Sequence, residues 1–279
     1  MSYLRRSAGE KIDKRIISLF FIAGILTGAL ITLLLYKIYM PTERKVVDHQ
    51  KAAPPERAYS KIAIVLDDFG YNSKNVEAVF NLKRPVTFSI LPHLPYSKAI
   101  STHAHRRGFE TILHLPLEPY REQRPIRPEA NTITVDMETE EVKERLAKAI
   151  DSVPHIMGIS SHQGSKATED ATLMKTIFMD LKERKLFFLD SLVSNKSVCK
   201  RVARKAGLRF NQRDIFLDNM EDFEYIKGQM EQLIRKAKAK GSAIGIGHDR
   251  KNTILALSKL MPEAQERGIE FVFLSELIK

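Results

Sequence analysis

A single cysteine, Cys199, in 279 residues excludes an intrachain disulfide and fits either side of a membrane. No histidine is placed in the sequence to activate it, which leaves a small helix residue. A complete phosphate-binding loop is missing too. Gly-Ile-Gly-His at 245–248 has neither the Gly-x-Gly-x-x-Gly pattern nor a Gly-Lys-Ser/Thr ending, so its glycines read as places of close backbone approach. The net charge of +11 comes without any nucleic-acid-binding motif, and no nucleic acid partner is expected. Residues 1–40 hold six Lys/Arg and two acids, leaving +7 for the rest, whose basic residues read as solvated faces of helices rich in Glu and Asp. With 43% hydrophobic and 28% charged residues, the composition argues against disorder and suits one large domain or two small ones.

Charge is missing altogether from Ile16 to Tyr36, an apolar run of 21 residues that is long enough to span a bilayer. Arg5, Arg6, Lys11, Lys14 and Arg15 precede it, which predicts a cytoplasmic N-terminus and an extracytoplasmic C-terminal bulk. The following Tyr-Lys-Ile-Tyr-Met-Pro offers no small-x-small cleavage site, so an uncleaved inner-membrane anchor is expected rather than a signal peptide. The expected organisation is a basic cytoplasmic segment at 1–15, an anchor at 16–40, a Pro-containing linker at 41–60 and a periplasmic domain at 61–279.

From Lys61 onward short apolar runs alternate with helical patterns. Strands are predicted at 61–67, 85–91, 110–115, 156–161, 186–190, about 208–210, 242–247 and 270–274. Helices are predicted near 73–82, 97–107, 138–152, 169–184, 195–206, 221–240 and 252–267, with Gly108, Gly207, Gly241 and Gly268 closing four of them. Strict alternation implies an α/β domain, either a (β/α) barrel or an open doubly wound sheet. The proline-punctuated stretch 116–137 is too long for a simple connection and reads as an active-site loop.

Ile62 to Leu66 form an uninterrupted apolar run, as expected of a strand buried on both faces, and it ends at Asp67 and Asp68. Neighbouring strand residues point to opposite faces, so both carboxylates can serve one site only if the chain leaves strand geometry there. The residues at the C-terminal ends of the other predicted strands are His114 with Glu118, His162, Asp190, Asp218 and His248. A lone histidine in such a place is more often a packing residue. Three of them with two acids match a site of two histidines and one carboxylate that leaves positions open for water and substrate. Pro116 between His114 and Glu118 argues against a shared helical face, which keeps Glu118 in a supporting or substrate-binding role.

Six segments in order, Ile-Val-Leu-Asp-Asp-Phe-Gly-Tyr-Asn, His-Leu-Pro-Leu-Glu-Pro, Gly-Ile-Ser-Ser-His-Gln-Gly-Ser, Phe-Phe-Leu-Asp-Ser, Arg-Asp-Ile-Phe-Leu-Asp-Asn and Ile-Gly-Ile-Gly-His, resemble the divergent polysaccharide deacetylase family over about residues 60–279. The resemblance implies a distorted (β/α)7-type barrel, here preceded by one transmembrane helix. It also implies Asp68, His114 and His162 as ligands of a divalent metal, most simply Zn²⁺, with Asp67 as base and His248 as acid. Asp190 and Asp218 would orient histidines or bind sugar hydroxyls. The expected activity is removal of acetyl groups from an N-acetylated envelope glycan such as peptidoglycan. The His-x-x-x-His helix and the Arg-x-Pro-Tyr/Trp motif of the wider superfamily are missing, and Ser161 stands before His162 where Asn is usual. A membrane-tethered, non-catalytic glycan-binding or envelope-organising protein on the same fold is therefore the alternative.

Overall fold

The computed structural model of the chain describes residues 14–39, 59–120, 122 and 131–279. It forms two units, Met1–Glu56 and Arg57–Lys279. In the first, the described residues make one helix, α1 (Lys14–Tyr39), whose Thr27 and Thr32 hydroxyls bond back to carbonyls one turn earlier. Among the described residues no helix is long and apolar enough to cross a membrane. The side chains at positions 14, 16, 17, 20 and 22 of α1 fall outside the described set. So do most of the expected basic segment and of the linker, and positions 121 and 123–130 of the expected active-site loop.

The second unit is one all-parallel sheet wrapped by helices. Its elements are β1 (Ser60–Phe69), α2 (Val76–Phe80), β2 (Thr87–Ile90), α3 (Ser97–Arg106), β3 (Thr111–Leu117), α4 (Thr139–Ser152), β4 (Ile156–Gln163), α5 (Ala171–Glu183), β5 (Phe187–Asp190), α6 (Cys199–Ala206), β6 (Phe210–Gln212), β7 (Ile215–Phe216), α7 (Phe223–Lys240), β8 (Ser242–His248), α8 (Lys251–Glu266) and β9 (Ile269–Val272). The strand order is β6-β5-β4-β3-β2-β1-β8-β7. β9 pairs with the first residues of β1 on the edge that β2 occupies further along. The result is an open half-barrel: among the described residues β6 and β7 are not paired, and the seam at β6 is covered instead by Lys279, whose carbonyl accepts from the Phe210 amide. This fits the expected distorted barrel, with β7 as a strand the sequence did not announce.

Period-two alternation divides the buried residues into two sets. Ile62, Ile64 and Leu66 of β1 face the larger core, which they share with helix residues such as Leu146, Ile177, Leu233 and Leu257. Ala63 and Val65 face the barrel interior with Ile112, Phe187, Leu189, Ile244, Ile246 and Val272. Gly158 makes room there, because a Cβ on it would meet the Phe187 ring at 2.3 Å. Helix ends carry the expected signals. Asp170 and Asp222 cap α5 and α7 by accepting backbone amides, while Gly207 and Gly241 end α6 and α7 in the left-handed region.

Candidate metal centre at the strand ends

The inward register that is apolar at the start of each strand becomes ionisable at its end. On β1 it runs Ala63, Val65, Asp67; on β3, Ile112, His114; on β8, Ile244, Ile246, His248. Asp67 and His248 face one another as register partners. Asp68 would point outward in a regular strand, but its φ is +69°, and the β1–β2 pairing slips between Leu66 and Phe69. Asp is among the few residues that tolerate this left-handed conformation. The bulge turns both carboxylates into one site: His114 Nε2 lies 3.6 Å from Asp67 Oδ2 and 3.4 Å from Asp68 Oδ1.

His162, from the end of β4, brings Nδ1 to 3.2 Å from Asp68 Oδ1. The rings of His114 and His162 meet edge to face at 4.7 Å. His114 is oriented from behind, with Nδ1 2.7 Å from the Ser160 hydroxyl, which is 2.8 Å from the Ser89 hydroxyl. One donor atom each from Asp68, His114 and His162 lies within 4.8 Å of the others. Asp68 Oδ1 and Asp67 Oδ1 are buried without a hydrogen-bond partner. A buried carboxylate oxygen left unsatisfied between two imidazoles is what a divalent cation would complete, so this donor set fits a metal.

The two acids are driven apart in proton affinity. Burial raises the Asp67 carboxyl, against a smaller lowering by His114. Burial also works to raise Asp68, but hydrogen bonding and charge from His114 and His162 outweigh it and hold that carboxyl well below the ordinary range. Adjacent carboxyls with opposed environments are suited to different roles.

On the opposite wall, His248 Nδ1 is 2.7 Å from Asp218 Oδ1, and Asp218 Oδ2 accepts from the His248 amide and the Thr253 hydroxyl. Burial alone would lower the His248 imidazolium, yet the Asp218 carboxylate raises it above the ordinary value. The same pairing lowers Asp218 despite its burial. Asp190 touches no histidine here. It accepts from the Ser197 hydroxyl at 2.6 Å and the Leu192 amide at 2.8 Å, fixing the turn into α6, and burial raises its carboxyl. Glu118 stands apart from the cluster as a loop clamp, accepting from the Val135 amide and from Lys166 at 3.0 Å.

The family model of divergent polysaccharide deacetylases matches residues 64–278. The chain belongs to this family. An uncharacterized protein of Haemophilus influenzae is 37% identical over 200 residues, covering 72% of this chain and 70% of the relative. The uncharacterized protein YibQ of Escherichia coli is 33% identical over 201 residues; the match takes in 72% of this chain but only 62% of that protein. An uncharacterized protein from Agrobacterium tumefaciens C58 has a solved structure that superposes with a TM-score of 0.74 at 25% identity, covering 78% of this chain and 89% of that one.

In this deacetylase-family chain the site also contains residues that motif reading passed over. Arg213 donates to the carbonyls of Ser191 and Leu192 at 2.6 and 2.9 Å and holds its guanidinium 3.7 Å from the Phe216 ring centre. Phe216 stacks in turn on His248, with ring centres 5.8 Å apart and planes 12° from parallel. Ser89 and Ser160 carried a weak signal, as polar residues at inward positions of otherwise apolar strands. Arg213 and Phe216 carried none, because their partners come from β5 and β8.

Proposed function

We propose that the domain is a metal-dependent amide hydrolase of the carbohydrate-deacetylase type, releasing acetate from an N-acetylated envelope glycan such as peptidoglycan. The observation that carries this reading is the split of the paired carboxyls: Asp68 is held ionised between two histidines, while Asp67 keeps a raised proton affinity and an unsatisfied oxygen. Asp68, His114 and His162 would hold the cation, and an imidazole- and carboxylate-rich open site favours Zn²⁺. Bound there, the ion would supply Lewis acidity toward a water and the acetyl carbonyl.

The remaining work falls to side chains. Asp67 accepts the proton of the attacking water, a task matched to a carboxyl whose pKa burial has raised. His248, kept protonated by Asp218, donates to the departing amine nitrogen. Arg213, Phe216 and Asp218 together fix the His248 ring plane from two sides. Water is limited at the base by the apolar interior packed directly beneath it.

The chain is anchored in the inner membrane by its N-terminal helix, with the domain on the periplasmic side; the uncharged run 16–36 and its basic flank support this. A reporter fused after Ser60 should be active only if exported, and activity of a cytoplasm-only reporter there would overturn the topology. For the chemistry, acetate release from N-acetylglucosamine oligomers with Zn²⁺ supplied is the test. Asp67→Asn should keep metal and glycan binding and lose about 10²–10⁴-fold in rate. Glycan binding without acetate release from the unaltered protein would leave the non-catalytic reading in its place.

A further inference from the structure

The domain's surplus positive charge sits in one place. Residues 191–213 carry seven Lys/Arg and no acid, whereas all other residues after 40 hold 32 of each sign. The expectation that the basic residues are scattered among acids therefore fails for this segment. Elsewhere helix-surface cations are paired, as in Arg145 with Glu141, Lys148 with Glu144 and Arg184 with Asp180. On α6 the pattern is reversed. Arg204 is three residues from Arg201 and four from Lys200, which makes all three neighbours on the helix surface, an arrangement that repels and destabilises an isolated helix.

These cations rim a cavity of about 560 Å³ lined by Ser197, Lys200, Arg201, Arg204, Leu208, Phe210 and Lys279. No carboxylate side chain lines it. Leu208 is buried and Phe210 half-buried, so the floor is apolar while the rim is cationic. The volume lies within the range of small-molecule sites. Clustered guanidinium and ammonium groups match the charge and the several acceptor oxygens of a phosphate better than those of a single carboxylate.

We propose that this groove between α6 and β6 binds an organic phosphate, its anion held by Lys200, Arg201 and Arg204 and its apolar part lying on Leu208 and Phe210. A lipid headgroup and a soluble phosphate ester share that chemistry. The site is distinct from the metal centre and does not depend on the deacetylase reading.

The test is calorimetric titration of the full chain, metal-stripped and in nonionic detergent, with inorganic phosphate, glycerol phosphate and short-chain phosphatidylglycerol below its micelle concentration. Glycerol phosphate should bind, and Arg201→Glu/Arg204→Glu should weaken it by about tenfold or more, with raised salt acting in the same direction. Both positions are exposed, so circular dichroism of the variant should match the parent. Tighter binding of phosphatidylglycerol that Phe210→Ala abolishes would assign the groove to lipid headgroups; equal binding of both esters would assign it to soluble ones. Binding that the charge reversal leaves unchanged, or no binding of any of the three phosphates, would overturn the proposal.

Discussion

The two ends of the barrel interior are built from the same strands and differ by one inward step along each. At the lower end Val65, Ile112, Phe187, Ile244 and Ile246 are buried against one another. One step higher, Asp67, His114 and His248 replace that packing, with His162 beside them. The lower end is satisfied by contact alone. The upper end contains carboxylate oxygens that nothing in the chain satisfies. Ionisable groups are expensive to bury, and a strand that packs well for its first residues can hold them rigidly at its last. The comparison teaches that one set of apolar residues fixes the geometry of the chemistry above it without taking part.

Substitutions at the two ends should therefore separate metal binding from stability. The largest effect is expected from His114→Ala/His162→Ala, which should abolish measurable Zn²⁺ binding in a competition titration while leaving the domain folded. Retention of one equivalent of Zn²⁺ by that variant would break the assignment. Next comes Phe187→Ala at the lower end, which opens a cavity beside Gly158 and should cost about 3–5 kcal/mol in urea unfolding. Below the unfolding transition it should still bind metal with near-parental affinity. Loss of metal from the folded variant would mean that the two ends are not separable.

A smaller effect concerns His248, whose imidazolium Asp218 holds above the ordinary pKa of about 6.5. A raised basic pKa stabilises the fold below the ordinary value, and that contribution is lost as pH rises through the shifted one. Asp218→Asn should bring the His248 titration, followed by NMR, down toward or below the ordinary value. It should move the alkaline limb of any pH–rate profile to lower pH. An unmoved titration would show that the Asp218 contact does not set the proton affinity of His248.

Much of the fold was legible because its signals are local. Apolar runs with period-two burial marked eight of the strands, and glycines marked the ends of α6 and α7. The doublet Asp67-Asp68 also predicted its own geometry, since two adjacent acids at a strand end demand a break, and the structure has a left-handed residue and a register slip there. β7 escaped because two residues, Ile215 and Phe216, are too short a run to show any period. Asp190 and Glu118 look in sequence like the other strand-end acids. Their partners, Ser197 and Lys166, come from later segments and take them into turns and loops. Arg213 and Phe216 were invisible for the same reason: stacking across β7 and β8 has no one-dimensional signature.

The central claim is that Asp68, His114 and His162 hold the cation while Asp67 stays free to move a proton. The direct measurement is anomalous diffraction at the zinc edge from crystals of the protein grown with Zn²⁺. The account predicts one strong peak among the Asp68 carboxylate and the His114 and His162 rings, with the Asp67 carboxylate outside the ligand shell. A peak ligated by Asp67 in place of Asp68, or zinc bound only away from His114 and His162, would contradict it.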